Sequence, residues 1–309
     1  MTTDKIAIRT NNLSKKFGNL TAVSNLNIDI RQGEIFSLLG KNGAGKTTTI
    51  KMLSCLLRPT SGSAAVMSFD VKDEPLKIKQ IIGVSPQETA IAGHLSTWEN
   101  LLLMGGVYGL KIKESKRRAK NLMDLMELED RKDQARKLSG GLQRRLSLAM
   151  ALISDPKVLF LDEPTLGLDP HSRRSVWNYI EKLRKEKTIL LTTHYLEEAD
   201  SLADRIAIID KGEIIEIGTS SELKQKYITD KTLKISAENI TEEIIDSISK
   251  RGMEVIKTSS GIEIKSGELD FYLIIDLLRE KNIKISGIEM QEPALDDVFI
   301  YLTEKEASK

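Results

Sequence analysis

The chain has 309 residues, 46 basic against 45 acidic, a formal net charge of +1 and one cysteine. This balance gives no sign of the broad positive field of a dedicated nucleic-acid binder, so no nucleic acid is expected as a partner; the lone Cys55 excludes a disulfide framework and a multi-thiolate metal site and reads as a small core residue among leucines. The longest unbroken apolar stretch, Leu101 to Leu110, has ten residues with three glycines, where a spanning helix needs about 20, and MTTDKIAIRT lacks the basic flank and apolar core of a secretory signal, so the chain is expected in the cytosol.

The length predicts two domains. From Ile6 to about Tyr227, short apolar or β-branched runs alternate with longer amphipathic ones, the pattern of an α/β domain covering residues 1–227. Ile35–Leu39, Val158–Leu161, Thr188–Thr192 and Arg205–Ile209 read as strands, and their near-continuous apolar character predicts parallel strands covered by helices on both faces. Directly after the first of them, Gly40-Lys41-Asn42-Gly43-Ala44-Gly45-Lys46-Thr47 matches the phosphate-loop pattern G-x-x-x-x-G-K-[ST], and Thr48–Leu57 reads as the helix that should follow. Glycines let successive N–H groups turn inward on phosphate oxygens, and the helix N-terminus adds partial positive charge. Lys46 then neutralises the β and γ phosphates of ATP while the Thr47 hydroxyl ligates magnesium.

Between Thr97 and Ala151 the pattern turns helical, with Leu122, Leu125 and Met126, then Leu146 and Met150, at helical spacing; an inserted helical subdomain is expected over about 97–151. Within it, Leu138-Ser139-Gly140-Gly141-Leu142 opens a helix, with Ser139 suited to the N-cap. Such a start is a second anion site, which a second copy of the chain could bring to the far side of the γ-phosphate; a plain Ser-capped helix after a glycine turn is the competing reading. Val158-Leu159-Phe160-Leu161-Asp162-Glu163 is an apolar strand closing in two carboxylates, at the sheet end where ligands bind. Asp162 suits a magnesium-bound water and Glu163 the polarisation of the attacking water, although an ordinary strand-to-loop transition reads the same way.

Past Leu223 such motifs end, and the lysine-rich Lys224–Lys231 reads as a boundary. The remainder reads as strand Thr232–Ser236, helix Thr241–Arg251, strands Met253–Thr258 and Gly261–Lys265, helix Glu268–Glu280 and strand Ile283–Met290. That β-α-β-β-α-β order predicts a small α+β, ferredoxin-like domain over 228–309, closed by a helix from Ala294 to Leu302.

Taken in order, these residues resemble the nucleotide-binding subunit of ABC transporters over positions 6 to 220. Phe17 of Lys16-Phe17-Gly18 matches the family's adenine-stacking aromatic, and Gln87 of Ser85-Pro86-Gln87 its Q-loop. Ser139-Gly140-Gly141 matches the signature motif, Pro164-Thr165-Leu166-Gly167-Leu168-Asp169-Pro170 the D-loop, and Thr192-Thr193-His194 the H-loop. The resemblance implies ATP held by Phe17, Gly40, Asn42, Gly43, Gly45, Lys46, Thr47 and Thr48, magnesium by Thr47, Gln87 and Asp162, and hydrolysis served by Lys46, Gln87, Glu163 and His194. It implies a head-to-tail dimer in which Ser139, Gly140 and Gly141 of one copy close over the nucleotide of the other. Three positions depart from the family's pattern: Phe17 replaces the commoner tyrosine, Lys41 a frequent proline, and Leu142-Gln143 alters the signature's tail.

Glu292-Pro293-Ala294-Leu295-Asp296-Asp297-Val298-Phe299 is similar to the ending of the daunorubicin-resistance type of exporter ATPase. That branch works with a separately encoded ABC-2-type membrane permease, which implies a place on the cytoplasmic face of the membrane and a motor role in export. A soluble ABC ATPase acting on ribosomes or nucleic acid is the rival reading, with the cluster Lys111, Lys113, Lys116, Arg117, Arg118 and Lys120 as its one basic patch; a solvated helix face is the plainer account of that cluster. A regulated signalling ATPase, with the second domain as a ligand-sensing switch, is a further rival.

Overall fold

The computed structural model describes residues 5–128, 133–227, 231–238, 240–266, 270–291 and 294–307. The chain divides into two compact units that part between Ser220 and Ser221, so the helix Ser220–Tyr227 groups almost wholly with the second unit, a few residues before the boundary expected at 227/228. Parts of three expected features lie outside the described residues: 228–230 of the lysine-rich boundary, 268–269 at the start of a helix, and 292–293 of the C-terminal motif.

At the centre of the first unit is a six-stranded sheet in the order Glu213–Gly218, Arg205–Asp210, Ile35–Leu39, Thr188–Thr193, Val158–Asp162, Ile82–Ser85. Only the Glu213–Gly218 edge is antiparallel; every other pair is parallel. All residues of the strands Ile35–Leu39, Val158–Asp162 and Thr188–Thr193 are buried, as their continuous apolar runs require. Alternate side chains enter two cores. Ile35, Leu159, Leu161, Ile189 and Leu191 face one, with Leu146, Val176 and Ile180; Phe36, Leu38, Phe160, Leu190 and Ala207 face the other, with Ile50 and Leu53. Each leucine, isoleucine, valine or phenylalanine among them contributes about 1.5–3 kcal/mol when taken from water.

The second core is closed by an antiparallel sheet that the sequence reading missed, ordered Leu20–Leu26, Ile6–Phe17, Ser61–Val66, Phe69–Asp70, with Asp29–Arg31 beside Ile6–Phe17. Ile6–Phe17 is polar and its register slips in its pairings with all three neighbours, so its alternation is broken where a pattern would be sought. The inserted segment forms helices Thr97–Val107, Ile112–Leu125 and Gly140–Leu152 with a short 3-10 turn at Ala135–Lys137. Ser96 and Glu99 form a reciprocal capping box at its entry. Cys55 is half-buried against the second core, and burial pushes its thiol up, away from the reactive thiolate. In the basic cluster, Arg117 and Arg118 converge on Glu114, whose half-buried side chain has its carboxyl lowered to about 2 by their hydrogen bonds.

The second unit has the expected β-α-β-β-α-β order. Its antiparallel sheet runs Glu254–Thr258, Gly261–Ser266, Lys231–Ala237, Ile285–Gln291. Helices Glu242–Ser249 and Phe271–Glu280 bury Ile244, Ile248, Ile274 and Leu278 against Leu233, Ile235, Ile262 and Ile264, one period-2 face of the sheet. A closing helix, Leu295–Ala307, buries Leu295, Val298 and Leu302 at helical spacing. No helix among the described residues is long and apolar enough to cross a membrane.

Candidate active site

Three neighbouring parallel strands end together. Leu39 pairs with Thr193 and Asp162 with Thr192, so the segments that leave them, beginning at Gly40, Glu163 and His194, emerge at one edge of the sheet. The main chain stitches them there: Gly40 N donates to Thr193 O at 3.2 Å, and Glu163 N to Thr192 O at 3.1 Å. This is the carboxyl end of a parallel sheet, where ligand sites of α/β folds lie.

The phosphate-loop pattern forms the strand–turn–helix that its chemistry needs. Gly43 (φ 82°) and Gly45 (φ 103°) take left-handed backbone that other residues resist. A Cβ on Gly45 would stand 2.5 Å from Ala22 O, while one on Gly43 would meet nothing within 4 Å, because that side is open. Gly45 caps the helix Lys46–Leu53, whose first N–H groups are thereby free for an anion. A cavity of about 380 Å³ opens against the loop, lined by Asn42 to Thr48 and by Phe17, Leu20, Ala22, Gln87 and Glu163. Phe17 stands half-exposed on its rim, with the Lys15 ammonium 5.2 Å from the ring centre.

Lys46 and Glu163 are 5% and 4% exposed, so neither charge could sit here unpaired. Lys46 Nζ lies 3.0 Å from Glu163 Oε1 and donates to Gly40 O at 2.7 Å and Lys41 O at 3.1 Å. Glu163 Oε2 in turn lies 2.8 Å from His194 Nδ1. The carboxylate is thus shared between a cation and an imidazole at the cavity wall. Glu163 itself has left-handed backbone, φ 50°, outside the comfortable range of a side chain with a Cβ and worth about 1–3 kcal/mol of strain. Strain of that size persists only where neighbours hold it: its N–H is gripped by Thr192 O and, at 3.1 Å, by Thr192 Oγ1.

Asp162, one residue earlier, points its Oδ1 the other way. It accepts from Thr192 Oγ1 at 2.6 Å and from Thr47 Oγ1 at 3.1 Å. Among the described residues no group of three or more His, Cys, Asp or Glu side chains could cage a metal. The Thr47 hydroxyl and the Asp162 carboxylate together still fit magnesium, which keeps several waters and substrate phosphate oxygens and needs only one or two protein oxygens.

Ser139, Gly140 and Gly141 are not among the residues lining this cavity. Ser139 does cap the helix Gly140–Leu152, accepting from Leu142 N at 3.4 Å. Gly141 is small for a packing reason too: a Cβ there would meet Ser172 Oγ at 2.8 Å. Gln87 lines the cavity as an exposed residue. Asp169, at the end of the D-loop-like segment, caps the helix Pro170–Lys182 by accepting from Ser172 N at 3.0 Å.

Four further residues shape the site, of which the sequence pointed only to Thr192, as part of the H-loop match. Thr192 braces both Asp162 and Glu163, as described above. Tyr195 stacks on His194 with ring centres 4.1 Å apart and carries the Arg173 guanidinium 4.4 Å from its own centre. Glu198, fully buried, accepts from Thr165 Oγ1 at 2.7 Å and Trp177 Nε1 at 3.0 Å. Arg144, 3% exposed, donates to main-chain carbonyls beside the site. A signal for the last existed: Arg144 precedes Leu148 by four residues and Ala151 by seven, which puts an arginine on the buried face of its helix.

Residues 23–166 match the family model described as ABC transporter. The linearmycin resistance ATP-binding protein LnrL of Bacillus subtilis (strain 168) is 36% identical over 304 residues, covering 96% of this chain and 98% of its own. The daunorubicin/doxorubicin resistance ATP-binding protein DrrA of Streptomyces peucetius is 37% identical over 307 residues, covering 96% and 92%. Among solved structures, a dimeric post-hydrolysis state of an ATP-binding cassette bound to ADP and Pi superposes with a TM-score of 0.63 at 29% identity, covering 69% of this chain and 98% of that one. With a phosphate loop, a paired lysine and glutamate and a histidine at one sheet edge, and with relatives matched over nearly their whole length, this chain belongs to the ATP-binding subunits of ABC transporters and is an ATPase.

Proposed function

We propose that the chain is the motor subunit of an exporter: two copies dimerise head to tail on ATP and drive a separately encoded ABC-2-type permease from the cytoplasmic face of the membrane. One observation carries the reading. Lys46 and Glu163 line the phosphate-loop cavity, with His194 bound to Glu163, while the Ser139–Gly141 loop is absent from its walls. In this reading the same loop of a second copy covers the nucleotide from the far side. The resistance proteins named above support a cargo of antibiotic type.

In this reading Phe17 stacks on adenine, and Gly40, Asn42, Gly43, Gly45 and Thr48 hold the phosphates in the loop. Thr47 and Asp162, with Gln87, would hold magnesium, which would supply neutralising charge to the phosphates. Lys46 neutralises the γ-phosphate, drawing its ammonium from Glu163 toward the substrate. Glu163 then takes a proton from the water that attacks the γ-phosphorus as the bond to the bridging oxygen breaks. His194, turned by its bond to Glu163, offers its other nitrogen to the γ-phosphate oxygens. Charge developing there is met by groups brought together only on closure, so hydrolysis is tied to dimer formation. The second unit acts as an accessory domain for regulation or dimerisation.

The test is a pull-down of tagged Glu163→Gln protein from detergent-solubilised native cells with ATP present. Co-purification of an integral membrane protein of permease type is expected. Recovery of ribosomal subunits or DNA, with no membrane protein, would replace the motor by the soluble ATPase.

A further inference from the structure

Arg144 lies on the helix Gly140–Leu152, one turn after the Ser139–Gly141 loop, and its side chain is almost wholly buried. It makes five hydrogen bonds, all to carbonyl oxygens. Nε donates to Pro164 O at 2.7 Å; Nη1 to Pro86 O at 2.6 Å and Gln87 O at 3.2 Å; Nη2 to Asp162 O and Glu163 O, both at 2.7 Å. A guanidinium has five N–H donors in a plane, so every one of them is used. These carbonyls stand at or just past the ends of two adjacent parallel strands, Ile82–Ser85 and Val158–Asp162, where the ladder stops and buried acceptors need other donors. Burial brings the guanidinium down to about 10, opposed by the carboxylates of Glu198, Asp162 and Glu163, so it remains a cation at neutral pH. One helical turn further on, Ser147 Oγ lies 3.0 Å from Ser85 Oγ and ties the same helix to the same strand.

The strained residue of the site is Glu163, and its two peptide ends are held from different places. Thr192 holds the N–H, and Arg144 holds the carbonyl. Resting on the assignment of Glu163 as the base, we propose that Arg144 is the positioning residue that keeps Glu163 in its left-handed backbone and links it to the helix carrying Ser139–Gly141 and to the loop carrying Gln87. The base of one subunit is then set by the same rigid piece that contacts the nucleotide of the other. Lysine cannot replace this fork: one ammonium with three donors cannot span carbonyls on two strand ends.

The test uses the full chain with Arg144→Lys and Arg144→Met, each alone and combined with Glu163→Gln. It measures kcat and KM for ATP, binding of a fluorescent ATP analogue and the thermal midpoint. Arg144→Lys is expected to lower kcat about 30-fold or more with KM and nucleotide affinity within about threefold, and to add little to the loss caused by Glu163→Gln, as residues acting as a unit do. Should Arg144→Met fail to fold, Arg144→Lys, which keeps the cation and most of the stem, carries the test. Losses that multiply in the double variant, loss of nucleotide binding in step with kcat, or a wild-type kcat in Arg144→Lys would each overturn the proposal. Wild-type turnover in Glu163→Gln alone would overturn the base assignment and this role with it, whereas a Glu163→Gln loss beside an unaffected Arg144→Lys overturns only the role of Arg144.

Discussion

Glu163 Oε2 lies 2.8 Å from His194 Nδ1, across the carboxyl ends of two adjacent parallel strands. The contact engages Nδ1, and in the proposed mechanism the other nitrogen serves the substrate. In the proposed mechanism, replacing His194 by alanine removes both the brace on Glu163 and a partner of the γ-phosphate, while the phosphate loop stays whole. Turnover at saturating ATP is expected to fall about 10²-fold or more, with binding of a fluorescent ATP analogue changed less than about threefold. A large loss of nucleotide binding instead would assign His194 to the cradle.

Gly43 and Gly45 separate two uses of glycine in one loop. Gly45→Ala forces a Cβ to 2.5 Å from Ala22 O at φ 103°, and the backbone must shift at a cost of about 2–4 kcal/mol. Gly43→Ala meets open space and carries only the conformational penalty, about 1 kcal/mol. Thermal unfolding should rank Gly45→Ala well below Gly43→Ala. Equal midpoints would mean that the loop relaxes freely.

Buried Glu198 makes stability depend on pH. Burial raises its carboxyl above the ordinary value of 4.5, against the bonds from Thr193, Thr165 and Trp177. A carboxyl whose folded value exceeds its unfolded one binds its proton more tightly in the folded chain. Stability is therefore lost as pH rises from the ordinary carboxylate range through the raised value, at about 1.4 kcal/mol for each tenfold change in proton affinity. Glu198→Gln keeps an acceptor for Thr165 and Trp177 without the charge, so its advantage in thermal midpoint should grow from about pH 5 to about pH 8. An advantage that shrinks with pH would show that the fold prefers the carboxylate.

Ser139→Arg places a cation and a long side chain at the exposed start of the helix Gly140–Leu152. ATP binding to the monomer should persist, since Ser139 is not in the cavity wall. Dimer closure and turnover should be lost, which sedimentation of the ATP-bound protein reads directly. Normal hydrolysis would remove the case for a composite site.

The legible parts were those in which one physical requirement leaves one pattern. Strands buried on both faces are mostly apolar, and Ile35–Leu39, Val158–Asp162 and Thr188–Thr193 are, with Ser37, Asp162 and three threonines as their polar members. Gly43, Gly45, Lys46 and Thr47 lie where the phosphate-loop spacing requires, and the second unit follows its β-α-β-β-α-β order strand by strand. What stayed hidden depends on contacts distant in sequence. Ile6–Phe17 is a strand because of its neighbours Leu20–Leu26 and Ser61–Val66, not because of its own polar, bulged sequence. Ile82–Ser85 is four residues long and contains Gly83, where a Cβ would stand 2.1 Å from Ala151 O. Arg144 and Glu198 are charges whose roles appear only once the carbonyls and the donors around them are in place.

The most direct test of hydrolysis at this site is Glu163→Gln assayed for ATP binding, turnover and dimer content together. With Glu163 as the proposed base, the glutamine keeps the shape and loses the proton acceptor, so binding should persist, turnover should fall about 10²–10⁴-fold, and an ATP-bound dimer should accumulate. Turnover at the wild-type rate would contradict the account, because the proton of the attacking water would then have another destination.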